Sequence, residues 1–498
     1  MRLKNTLMII GILCLSMANS FAQEQPPAPG APKSVTIPAV KEKTLPNGLQ
    51  LAVVERRNMP LVTVDLVLNA GARLETDAEA GTADVTASLL TKGTKAKTAT
   101  QIAEEIEFLG GSINSGAGWN SANVSVTVTS DKLQQAMVIL SDVVLNPAFS
   151  EKELELLKSQ TLDGLTYNLK QPGFLANYAA SKYIFDEHPA GGTPETIKAL
   201  DQKKVQDFYQ ENYLPYGAVL IFTGDITLQE ASTLAVKFFG AWKGIKRKEL
   251  IQDLSLPPSN SPNPDRAKTS EQKILVIDLP KSGQAAVNYG KSIEGGRVEY
   301  GKVGSTPVQG RDYFPAIVLN SVLGGGYSSR LNYEIRIKRG LSYGAGSSFA
   351  WRDDKTNFAT RIQTKTVSAA EVLELVMAEI KRLSDSSVSN DELTPRKSVL
   401  TGNFGRSLET TAGLAAALGE LYAFEIPANE LNTYATKVNG VTDSQIKDFA
   451  RQNLTGGKVV IVGDYSDFKD DLAKRFPNMR IDVIKADELD LSKDNLRK

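Results

Sequence analysis

Apolar residues along this chain follow two periods. In "LQLAVVER" (49–56) and "NVSVTVTS" (123–130) they take every second position or run together, the pattern of strands. In "TATQIAEEIEFLG" (98–110) and "SAAEVLELVMAEIKRLS" (368–384) they recur three and four positions apart, the spacing of amphipathic helices. Strict alternation in several strands predicts sheets with one covered face rather than buried parallel sheets. A further short helix is expected within "EAGTADVTASLLTKGTKAKT" (79–98), ending at a Gly-Thr, with Asp84, Ala87 and Ser88 sharing one face.

The pattern also repeats. "KVQDFYQENYLPYGAVLIFTGDIT" (204–227) resembles "SQIKDFARQNLTGGKVVIVGDYS" (444–466), each an amphipathic helix, an apolar strand and a Gly-Asp turn. Asp207-Phe208 pairs with Asp448-Phe449, and Gly224-Asp225 with Gly463-Asp464. The chain therefore reads as two homologous α+β domains, each an antiparallel-rich sheet covered by helices. The N-terminal domain is expected at 36–244 and the C-terminal domain at 273–486. Between them lies 245–272, which contains "DLSLPPSNSPNPDRAKTSEQ" and has the composition of an exposed linker.

With 498 residues, two domains agree with ordinary domain sizes, and 41% hydrophobic with 23% charged residues is the balance of a globular protein. Formal net charge is zero, no basic stripe points to nucleic acid, and no acidic tail points to a solvating region. The start, "MRLKNTLMIIGILCLSMANSFAQEQ", has a positive n-region (Arg2, Lys4) and an apolar run from Leu7 to Met17. Ser20-Phe21-Ala22 supplies a small-x-small cleavage site, so residues 1–22 read as a secretory signal peptide. Export to the periplasm follows, or secretion as the alternative. The mature chain then has no membrane anchor, and it is free of cysteine because Cys14 is removed. A single histidine, His188, cannot build a multi-histidine site alone and reads as a surface or packing residue. After it, Thr193 and Pro194 fit the cap and first position of a helix.

Several segments together resemble the pitrilysin/insulinase zinc-peptidase family, of the mitochondrial-processing-peptidase type, over roughly residues 42–466. They include "TLPNGLQLAVVE", "NAGARLETDAEAGTA", "LLTKGT", "IEFLGGSINS", "LNSVLGGGYSSRLNYEIRIKRGLSYGAGSSF" and "SLETTAGLAAALGELYAF". Catalytic members of that family carry an inverted zinc motif, H-x-x-E-H, and a further glutamate ligand on another helix. The resemblance puts Asp84 at the first histidine, Ala87 at the glutamate base and Ser88 at the second histidine. The third ligand's place falls on or beside Gly164, next to Asp163. Alanine cannot abstract a proton, and two carboxylates with a hydroxyl offer at most a weak, unspecific site for calcium or magnesium. The expectation is no metal and no cofactor in this chain.

In "IRIKRGLSYGAGSSF" the resemblance implies that Arg336 and Tyr343 reach toward an active site, where a guanidinium and a phenol hydrogen-bond a substrate carbonyl. "LGGGYSS" (323–329) lacks the lysine and spacing of a phosphate loop and reads as a tight connection before the next helix. Ile113–Ala117 would be a sheet edge able to receive an extended peptide. The resemblance thus implies a zinc-less, substrate-binding subunit of a heterodimeric peptidase, inactive alone, with zinc only in a partner of the same family. The alternative is a structural or peptide-binding scaffold of the same fold.

Overall fold

The computed structural model describes residues 37–244, 273–299, 308–493 and 495–498. The expected signal peptide (1–22) and linker (245–272) lie outside the described residues. Within them the chain forms two six-stranded mixed sheets clad in helices, the α+β arrangement anticipated.

The first sheet holds β1 (Lys41–Thr44), β2 (Gln50–Glu55), β3 (Leu61–Leu68), β4 (Ser112–Ala117), β5 (Ala122–Thr129) and β6 (Val219–Gly224). Their order is β1-β2-β6-β3-β5-β4, antiparallel except for the β2–β6 pair. The second holds β7 (Lys273–Asp278), β8 (Gln284–Glu294), β11 (Ala345–Trp351), β12 (Lys355–Lys365), β13 (Lys458–Gly463) and β14 (Arg480–Lys485). Its order is β11-β12-β8-β13-β7-β14, with β7 parallel to both of its neighbours. A small hairpin, β9 (Val298–Glu299) with β10 (Val308–Gln309), stands apart. The repeat is visible in the matched elements. Helix Gln202–Asn212, capped by Asp201, leads into β6, and helix Asp443–Asn453, capped by Thr442, leads into β13.

One expectation needs correction. β5 shows the alternating burial of a strand with one covered face, but β3, β6 and β13 are buried almost throughout. The cause is an exchange of helices between the halves. Helix Thr411–Ala423 packs on β3 and β6 of the first sheet, while helix Pro172–Tyr183 packs on β8 and β13 of the second. Leu414, Ala415 and Leu418 join Val54, Val67 and Ile221 in one apolar cluster. Leu175 and Ala176 join Val460 and Val462 in another. Each sheet is thus covered on its outer face by the other half, and apolar side chains are needed on both faces.

This exchange buries a charge-bearing group. On β3, Val62, Val64, Leu66 and Leu68 face their own half's core, whereas Thr63, Asp65 and Val67 share the opposite face. Thr63 shares a 2.8 Å hydrogen bond with Thr411, and Thr223 donates to the Thr411 carbonyl at 2.8 Å. Asp65 has one long side-chain hydrogen bond, from Asn123 at 3.4 Å, and burial pushes its carboxyl up to about 6. The raised value means that folding opposes ionisation. Stability is fully present below the unfolded value near 3.8 and is lost as pH rises toward 6. Asp65→Asn should therefore stabilise the protein at pH 7.5, by on the order of 1–3 kcal/mol, with the gain fading toward pH 4. Urea midpoints of both proteins across that range check this, and a constant difference would contradict it.

Candidate functional site

The run 79–98 folds as helix Thr82–Leu89, a 3₁₀ turn Leu90–Lys92, and a stop at Gly93. No side chain of the preceding residue caps this helix. Glu75 does so from upstream, accepting from the backbone N–H of Gly81 at 3.0 Å and of Ala83. Gly81 itself has φ +94°, and a Cβ there would sit 2.8 Å from Ile197 and 2.9 Å from Gly192. Only glycine permits both the left-handed turn and this close approach of the 185–192 loop.

That loop brings His188 to Glu75. Its Nε2 donates to Glu75 Oε2 at 2.9 Å, and both side chains are buried. The His188 ring lies 5.0 Å from Trp119, whose face is covered by Arg352 at 4.6 Å. Arg352 in turn forks onto Glu187 at 3.0 and 2.7 Å, and Lys355 adds a contact at 3.1 Å. Burial alone would raise the Glu187 carboxyl, but the Arg352 hydrogen bonds and the charges of Arg352 and Lys355 outweigh it and hold it below the usual range. His188 is thus a packing residue, one of the two roles expected of it, and its packing is polar. It steadies the start of helix Thr82–Leu89 through Glu75, while the neighbouring Glu187 and Trp119 make the contacts to Arg352 of the other half.

The motif positions do not fit zinc. Ala87 is fully buried and brings no donor atom. Ser88 is half-buried, and Asp84 is half-buried with its carboxyl raised, first by burial and then by the nearby charge of Glu75. Gly164 lies on helix Glu151–Asn168, which packs against helix Thr82–Leu89, with open space where its side chain would be. Asp163 beside it is exposed. Among the described residues, no three of His, Cys, Asp or Glu are grouped to hold a metal ion. A tetrahedral zinc site needs three such ligands with deprotonated or neutral donors, and Asp84 is the single carboxylate on this face.

Arg336 and Tyr343 lie in the other half. Arg336 falls in a π-helical segment, Asn332–Ile337, half-buried with its guanidinium 5.1 Å from the Tyr327 ring. Tyr343 occupies the loop before β11 and is 91% exposed. No hydrogen bond or ring contact joins the two. Tyr343 forms part of the rim of a cavity of ≈ 740 Å³, bounded by the first turns of helix Pro172–Tyr183, β8, β12 and the 340–344 loop. No residue of helix Thr82–Leu89 lines it. Ile113–Ala117 belong to β4, which pairs only with β5 among the described residues and so leaves one side open as a sheet edge. Sequence reasoning passes over Glu75, although it stands in "NAGARLE", and the cavity residue Arg361. The polar alternation of "RIQTK" (361–365) is the available signal for the latter.

Sequence and fold both match known proteins. The family model for insulinase, peptidase family M16, matches residues 51–171, and the model for the peptidase M16 inactive domain matches residues 199–400. An uncharacterized zinc protease of Rickettsia bellii is 26% identical over 387 residues, 76% of this chain and 86% of that protein. Another, from Bacillus subtilis, is 23% identical over 420 residues, 84% of this chain and 96% of that protein. A solved peptidase M16 inactive domain from Pseudomonas fluorescens superposes with a TM-score of 0.73 at 24% identity, covering 85% of this chain and 98% of that one. A protease from Helicobacter pylori does so with a TM-score of 0.75 at 18% identity, covering 86% and 100%. The chain belongs to the insulinase/pitrilysin family of M16 peptidases.

Because the donor set at Asp84, Ala87 and Ser88 cannot hold the metal, purified protein should retain less than about 0.1 zinc per chain after dialysis. Elemental analysis giving close to one zinc per chain would defeat this.

Proposed function

We propose that this chain is the non-catalytic, substrate-binding subunit of a two-chain M16 peptidase, exported to the periplasm and paired with a zinc-bearing chain of the same family. The observation that carries the proposal is a contrast within one molecule. Ala87, at the position of the general base, is sealed in the core, whereas Tyr343 stands in solvent at the mouth of a peptide-sized cavity. A phenol presented at that mouth can donate a hydrogen bond to a bound peptide, which favours substrate binding over a purely scaffolding role.

In this assignment the partner supplies the nucleophile. Arg336 and Tyr343 supply hydrogen-bond donors, a guanidinium and a phenol, for the carbonyl of the bond being cut. The open side of β4 supplies main-chain partners for an extended substrate. Export is inferred from residues 1–22, and among the described residues no helix is long and apolar enough to cross a membrane.

Two experiments test these assignments. Alone, the chain should cleave no peptide, and with its zinc-bearing partner it should strongly raise activity. In that mixture Arg336→Ala or Tyr343→Phe should lower kcat by about 10²–10³, or roughly 3–4 kcal/mol, without preventing assembly. A mixture indifferent to both changes leaves the scaffold role standing instead. Separately, N-terminal sequencing of protein from the periplasmic fraction should begin at or near Gln23, and an uncleaved cytosolic product would overturn the export assignment.

A further inference from the structure

The cavity beside Tyr343 has a charge character that hydrolysis does not require. Its floor is one face of the second sheet. Side chains alternate along strands, so Gln284, Ala286 and Asn288 of β8 share this face with Arg361, Gln363 and Lys365 of β12. Ala285, Val287 and Ile362 point the other way, into the core. On β13 the same face carries Val460 and Val462, packed beneath helix Pro172–Tyr183. Polar side chains lie at the start of this helix, where Asn288 is buried against Asn177, and beyond it, where Arg361 and Lys365 are exposed.

Among the described residues, the two cations there have no acidic partner. Arg361 Nε donates to Asn177 Oδ1 at 3.0 Å and Nη1 donates to Ser348 Oγ at 2.6 Å, both neutral acceptors. Asn288 also donates to Asn177 Oδ1, at 2.9 Å, which fixes that amide. Lys365 makes no ion pair with a described residue, and no described Asp or Glu lines the cavity. Although the Arg361 side chain reaches solvent, the crowding around it pulls its pKa down, and no carboxylate offsets that effect. A cation held in such surroundings is stabilised by an incoming anion, and its planar fork suits a carboxylate.

We propose that this cavity binds a carboxylate of an extended peptide, through Arg361 and Lys365, and so selects substrates by negative charge. The carboxylate is either the peptide's C-terminus or an acidic side chain. The inference rests on the peptide-binding assignment above, and neither cation is needed for the chemistry of Tyr343.

Fluorescence anisotropy on the mature chain, without partner or zinc, tests it. The probes are labelled peptides of about ten residues in four forms: with one Glu and a free C-terminus, with Glu replaced by Gln, with an amidated C-terminus, and with both changes. The fully neutral form should bind about tenfold or more weakly than the parent, the loss expected for a charge-assisted hydrogen bond. Whichever single change carries that loss identifies the source of the carboxylate. Arg361→Gln and Lys365→Gln should each weaken the acidic peptide by a similar factor and leave the neutral one within about twofold. Lys365 is exposed, so its variant should keep the parent's circular dichroism spectrum. Equal binding of acidic and neutral peptides overturns the charge selection and leaves peptide binding standing. A charge preference that survives both substitutions overturns the assignment to these residues. Failure of every peptide to bind overturns both this inference and the assignment it rests on.

Discussion

Each sheet in this protein lacks, within its own half, enough helix to cover both faces, and the other half supplies what is missing. Helix Thr411–Ala423 lies on β3 and β6, and helix Pro172–Tyr183 on β8 and β13. The seam tolerates little change of shape. Gly419 sits so near β3 that a Cβ there would lie 3.1 Å from Val67 and 3.4 Å from Asp65. Apolar burial across two such seams binds the halves more firmly than surface ion pairs could, since exposed pairs contribute about 0–1 kcal/mol. The cavity follows from the same arrangement. Where helix Pro172–Tyr183 begins, its cover of the sheet ends, and the exposed strand face turns from valine to arginine, lysine and amides.

A second, polar seam runs beside the first. Glu75 caps helix Thr82–Leu89 and holds His188, while the neighbouring Glu187 is held by Arg352 and Lys355 from the β11–β12 turn. Losing one member of such a buried set costs more than the set contributes, because a charge is left without a partner. Helix Thr82–Leu89 is therefore anchored at its start by a side chain from outside it.

Much of the architecture is legible in spacing. The period of two in "NVSVTVTS" becomes β5, the 3–4 period in "SAAEVLELVMAEIKRLS" becomes helix Ala369–Asp385, and Thr193-Pro194 opens helix Pro194–Ala199. The repeat around Gly224-Asp225 and Gly463-Asp464 reports the duplicated fold. The helix exchange leaves no such signal, because periodicity shows that a helix has an apolar face and not which sheet it meets. For the same reason the pattern of β3 and β6 does not reveal that both of their faces are covered. Around the site, Asp84, Ala87 and Ser88 are placed by resemblance to a motif. Glu75–His188 joins residues 113 positions apart, and Arg361 gains its meaning from Asn177 across the seam, pairings that no local pattern encodes.

The exchange of helices also fixes an order of events during synthesis. β3 and β6 are complete once Gly224 has been made, yet their covering helix starts at Thr411, some 190 residues and roughly 10–40 s of translation later. Until then Val54, Val67 and Ile221 lack the apolar partners Leu414, Ala415 and Leu418 that cover them in the folded chain. The first half therefore completes its packing only when helix Thr411–Ala423 of the second half is present.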